Sequence, residues 1–142
     1  MKHQESSMQM QCVKWFRYQY ANIAPLLFAV PNGGQRNAIT AKILKAEGVV
    51  PGVADLILMV PNADYHALCI EMKAGKTGRQ SEYQKQWQNA VVAAGYKYVV
   101  CRSFDDFHDT VTNYLATEKG GVELCPNAEA KKVAKAKVAA NK

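Results

Sequence analysis

Apolar positions in the first twenty residues recur at a helical interval. Glu5, Gln9, Cys12 and Phe16 fall on one stripe at spacings of four, three and four, which predicts an amphipathic helix over residues 5–20. Cys12 and Phe16 make that stripe a core face, yet its first turn places the polar Glu5 and Gln9 there. After Pro25, residues 26–30 are uniformly apolar and few, as expected of a short buried strand, and Pro31-Asn32-Gly33-Gly34 then breaks the chain. Asn37 is a suitable cap for a helix running to Glu47, with Gly48 as its stop.

Two strands follow, 55–60 and 67–73, joined by the turn residues Pro61-Asn62-Ala63-Asp64 into a hairpin. A Gly/Lys/Arg loop over 74–80 leads to Ser81, with Gln84 three residues on, the capping-box spacing for a helix that ends near Gly95. Residues 96–101 read as a strand and 104–115 as a helix, with the acidic pair Asp105-Asp106 in its first turn. The order helix, strand, helix, strand, strand, helix, strand, helix predicts an α/β fold, a mixed central sheet flanked by helices. Beyond Gly120-Gly121 no core pattern remains. The expected organisation is one domain over 1–118 and a basic Ala/Lys-rich tail over 119–142.

Composition narrows the classes. With 142 residues, 49% of them hydrophobic, the chain suffices for one compact domain with a core of its own. No run reaches the roughly 18 apolar residues of a membrane span, and the start, Met-Lys-His-Gln-Glu-Ser-Ser, lacks the apolar segment of a signal peptide. A soluble protein of the cytoplasm, without a membrane partner, is expected. Cys12, Cys69 and Cys101 sit in apolar runs and form no C-x-x-C pair, so buried thiols in a reducing compartment explain them. The net charge is +6, of which five lysines and one glutamate over 129–142 supply +4. The remaining +2 admits a polyanionic partner without demanding one.

The candidate chemistry lies in Pro51-Gly52-Val53-Ala54-Asp55 and Ile70-Glu71-Met72-Lys73. Side chains alternate along a strand, so Glu71 and Lys73 share the face opposite Ile70 and Met72. If the hairpin strands are neighbours, Asp55 lies near the end where Glu71 and Lys73 emerge. Two adjacent carboxylates repel unless a cation sits between them, and hard oxygen ligands suit magnesium. Lys73 is suited to act on a water and on a phosphate, and Glu5 is a further carboxylate for the same edge. A lone E-x-K triplet also describes a plain cross-strand ion pair on a solvated face. The Asn32-Gly33-Gly34 amides, with Arg36 and Lys42 beside them and Lys76 and Arg79 in the loop after Lys73, are candidate DNA contacts.

Glu5, Pro31-Asn32-Gly33-Gly34, Lys45-Ala46-Glu47-Gly48, residues 51–56, Ile70-Glu71-Met72-Lys73 and Gln84 together resemble the virus-type replication-repair nuclease (VRR-NUC) domain. This is a branch of the PD-(D/E)XK superfamily with a restriction-endonuclease-like core, and the resemblance runs from about Glu5 to Arg102. It implies a metal-dependent endonuclease acting on DNA with Mg2+ or Mn2+. Asp55 and Glu71 match the metal carboxylates, Met72 the residue whose backbone carbonyl joins them, and Lys73 the catalytic lysine. Glu5 matches the helix glutamate and Gln84 the glutamine of the following helix. Ala54 departs from the proline usual before the aspartate, which loosens the turn without removing a ligand. Standalone, phage-like members imply a homodimer that cuts branched DNA such as four-way (Holliday) junctions, in DNA repair. The alternative is a non-catalytic DNA-binding or scaffolding module that keeps the fold, against which the intact Asp55, Glu71 and Lys73 speak.

Overall fold

The chain is described here from a computed structural model covering residues 2–31 and 36–117. Helix α1, Lys2–Gln19, leads through a 3-10 turn, Ala21–Leu26, into strand β1, Leu27–Ala29. Helix α2, Ala38–Ala46, strand β2, Leu56–Leu58, and strand β3, Leu68–Met72, follow. Helix α3, Glu82–Ala93, strand β4, Lys97–Cys101, and helix α4, Phe104–Ala116, complete the order expected from the sequence. The caps are those the sequence offers. The Asn37 side chain accepts from the Thr40 N–H at 2.7 Å, Ser81 and Gln84 form a reciprocal capping box, and the Ser103 hydroxyl accepts from the Asp106 N–H at 3.0 Å.

The strands lie in the order β1-β2-β3-β4. The β1–β2 and β2–β3 pairs are antiparallel, whereas β4 returns parallel to β3 after the α3 crossover, so the sheet is mixed. The strands are shorter than their apolar runs. Pro25 and Leu26 belong to the 3-10 turn, yet backbone bonds from the Val30 N–H to the Asp55 carbonyl and from the Met59 N–H to the Leu26 carbonyl continue the pairing past both strand ends.

Alternation divides the sheet into two faces. Leu27, Leu56, Leu58, Leu68, Ile70, Met72 and Cys101 face α1 and α4 and form the core with Cys12, Phe16, Phe107 and Val111. Cys12 and Phe16 are fully buried, as the stripe on α1 predicts. The other face, bearing Phe28, Ile57, Cys69, Glu71 and Tyr98, is covered only in part by α3. Neither α2 nor α3 buries a residue completely, and Phe28, Met59, Val92 and Tyr96 remain exposed.

One polar knot ties the hairpin to the core. Asn62, 4% exposed, accepts from the Asp64 and Tyr65 N–H groups at 3.0 and 2.8 Å and donates to the Tyr114 carbonyl at 3.2 Å. The Tyr114 hydroxyl donates to the Val60 carbonyl at 2.6 Å. Asn62→Ala takes the partner from one buried carbonyl and two part-buried N–H groups, so urea unfolding should find it less stable by about 2–3 kcal/mol.

Candidate active site

The register of β2 on β3 creates the site. Leu56 pairs with Ile70, so Asp55, one residue earlier, stands across from Glu71 on the face away from the core. The Asp55 Oδ2 atom accepts from the Met72 N–H at 2.7 Å, which turns its carboxylate toward the end of β3. Met72 sends its side chain into the core and keeps only its backbone beside the two acids. Glu71 is 2% exposed within a strand buried along its whole length.

The two oxygens of Glu71 have different surroundings. Oε1 accepts from Gln84 Nε2 at 2.6 Å and lies 3.5 Å from Lys73 Nζ. Oε2 is buried and, among the described residues, has no hydrogen-bond partner. A buried carboxylate oxygen left bare is costly, and its state follows from this. Burial, the Asp55 charge and their mutual contact push the Glu71 carboxyl up to about 8 against the pull of Lys73. Asp55 is also raised, by burial first, with the Met72 N–H acting against it. Such a pair cannot carry both charges unaided: it keeps a proton or takes up a cation in its place, so the residues fit the metal that their pattern implies.

Other predicted residues reach the same edge. Glu5, in the first turn of α1, accepts from the Ala74 N–H through Oε1 at 3.0 Å and adds to the field that raises Asp55. It thus lies beside the strand end, although no three His, Cys, Asp or Glu side chains converge on one point among the described residues. The α3 capping box carries Gln84 to Glu71, so one side chain both closes the helix start and holds the acid. Lys76 and Arg79 are exposed in the loop beyond Lys73, and Arg36 and Lys42 are exposed on and before α2. Asn32, Gly33 and Gly34 lie outside the described residues, as does the basic tail.

Several supporting contacts escaped the sequence reading, one of them at a residue already within the motif. Gly52, at φ +85°, lies so close to α3 that an added Cβ would stand 2.4 Å from the Tyr83 backbone carbon and 2.7 Å from the Gln84 nitrogen. Only glycine lets the turn before Asp55 seat against that helix start; the Pro51-Gly52 pair was its signal. Arg102 donates to the Gly75 carbonyl at 2.9 Å and fastens the loop after Lys73. Gln80 Nε2 donates to Gln88 Oε1 at 2.9 Å and to the Tyr98 hydroxyl at 3.1 Å, tying the approach to α3 onto β4. Nothing in their spacing announced these last contacts.

The family model for the VRR-NUC domain matches residues 3–105, from α1 to the start of α4. A solved structure of a VRR_NUC domain protein is similar to this chain, with a TM-score of 0.72 and 23% identity over 81% of this chain and 90% of that one. At that identity the likeness concerns the fold. No curated protein matches the sequence.

The buried acid makes a pH prediction. Unfolded, the Glu71 carboxyl titrates near 4.5, whereas folded and without a cation it titrates near 8. Between those values the folded chain holds the extra proton, so stability falls as pH rises. Melts in chelator should give a Tm that drops from about pH 5 to pH 8 and a flatter profile for Glu71→Gln. A wild-type Tm that climbs over that range would contradict the assignment.

Proposed function

The chain belongs to the VRR-NUC domain family of nucleases, and from that premise we propose that it hydrolyses phosphodiester bonds in DNA with magnesium or manganese. The observation that carries this reading is the unpartnered, buried Glu71 Oε2 on the strand opposite Asp55. Asp55, Glu71 and the Met72 carbonyl would hold the ion, with Glu5 at its edge. When bound, the ion would neutralise the acid pair and polarise a phosphoryl oxygen.

The chain's own groups do the rest. Gln84 and the Met72 N–H hold the two carboxylates in place before substrate arrives, which lowers the cost of organising the site during reaction. Lys73, 14% exposed and 3.5 Å from Glu71, offers its ammonium to the attacking water and to the charge that grows on the phosphate. Water adds to phosphorus and gives up a proton, the P–O bond to the leaving strand breaks, and the leaving oxygen takes up a proton in exchange, leaving a phosphate end and a hydroxyl end. Lys76, Arg79, Arg36 and Lys42 hold the strand by its phosphates, and the basic tail enlarges that footprint. Among the described residues no helix is long and apolar enough to cross a membrane. The reading puts the protein in the cytoplasm, where Cys12, Cys69 and Cys101 stay buried thiols.

The open sheet face supports a homodimer acting on branched DNA. A groove of about 490 Å³ between α3 and the sheet, lined by Ile57, Met59, Cys69, Trp87, Val91 and Tyr96 among others, is largely apolar and faces water. Apolar surface of this kind marks an interface. A second copy seated there would provide two sites for the two incisions that a four-way junction needs.

Two experiments test the reading. Lys73→Ala should lose cleavage by about 10²–10⁴-fold while still binding the ion and DNA; wild-type turnover in that variant would reduce the E-x-K pattern to an ion pair. DNA binding by the wild type without cutting in either metal would favour the scaffolding alternative. Light scattering at micromolar concentration should give twice the chain mass, and Met59→Glu should return it to one.

A further inference from the structure

A second concavity lies beside the acid pair, on the other side of the α3 start. It has a volume of about 240 Å³ and is lined by Arg36, Ala41, Leu44, Lys45, Val49, Pro51 and Tyr83. Tyr83 is 61% exposed, although aromatic residues usually bury much of their large apolar area. Its backbone cannot withdraw, because Gly52 packs directly against it. The next residue, Gln84, holds Glu71 at 2.6 Å. Residues 83 and 84 diverge by about 100° on the helix, so the ring and the acid pair flank one turn at a set separation.

The walls carry charge as well. Among the described residues Arg36 and Lys45, both in the lining, enter no ion pair. Arg36 spends one donor on the Pro31 carbonyl at 3.1 Å and keeps the others. Glu47 and Glu82 are the nearby acids in sequence, and Glu82 is engaged by Lys85 at 2.9 Å. An exposed ring flanked by cations, over an apolar floor, has the chemistry that takes a base by its flat face and a phosphate by its charge.

We propose that this notch binds one unpaired nucleotide of the DNA strand next to the cut, its base against Tyr83 and its phosphate between Arg36 and Lys45. The proposal rests on the nuclease reading above and adds a preference to it. A notch of this volume admits a single base and not a helix, and the bases of an intact duplex have their faces already stacked. Tyr83 therefore selects DNA with an unpaired base beside the cleavage position, as at a flap, a gap or an open junction.

The test compares the full-length wild type, Tyr83→Phe and Tyr83→Ala in magnesium on two DNAs, a blunt duplex and the same duplex with a short single-stranded extension. Loss of base stacking should lower kcat/KM of Tyr83→Ala on the extended DNA by about tenfold more than on the blunt one, through KM and not kcat. Tyr83→Phe keeps a stacking face and should match the wild type. Equal losses on both DNAs, no loss on either, or a Phe variant as weak as the Ala variant would overturn the notch while leaving the nuclease assignment intact. A wild type that cuts neither of these DNAs nor a four-way junction overturns both. Thermal melts of each variant separate a folding defect from these outcomes, since a smaller folded fraction would lower apparent kcat on both DNAs and leave KM unchanged.

Discussion

Two carboxylates facing each other across an antiparallel ladder are the constraint on which the rest of this structure depends. Register sets Asp55 against Glu71, and burial of β3 denies Glu71 the water that would shield it. A charge there costs several kcal/mol unless it is paired. Lys73 and Gln84 serve one oxygen only, and the other oxygen is left for a ligand. The acid pair is thus held at a cost that packing alone does not offset, as expected where function, and not folding, selects a residue.

The remainder of the fold keeps those acids in place. The core face of the sheet carries the apolar burial, with α1 and α4 packed on it, so the opposite face is free to hold charge. Helix α1 serves both sides: Cys12 and Phe16 bury in the core, and Glu5 at its start reaches Ala74 at the strand end. This explains the polar first turn on an otherwise apolar stripe. Helix α3 is the other bridge. It buries none of its residues completely and is held instead by polar contacts at its start, by Gly52 beneath it and by Gln80, Gln88 and Tyr98 along it. A helix held in this way positions Gln84 closely and leaves its flanks, the apolar groove and the Tyr83 notch, available to partners.

Much of this was legible in the residues themselves. Element order, the caps at Asn37 and Ser81, the hairpin, the core residues of α1 and the sharing of a face by Glu71 and Lys73 all follow from local rules of period and turn chemistry, which act over a few residues. Those rules need no knowledge of the partner strand. The resemblance of the motifs to the VRR-NUC domain added the grouping of Asp55, Glu71, Lys73 and Gln84 that spacing by itself left open.

What only the tertiary structure decided are the relations between distant segments. The bare Oε2 of Glu71, the Glu5 bond to Ala74 across 69 positions, the Arg102 hold on Gly75 and the glycine seat beneath Tyr83 arise from packing in three dimensions. No periodicity encodes them, because each joins residues whose separation along the chain carries no physical meaning. The sequence by itself determined which residues are acidic, which face of each strand they take and where the chain turns. Folding determined that burial would withhold solvent from one acid and leave one ring exposed, because solvation depends on what packs against a residue and not on its neighbours along the chain.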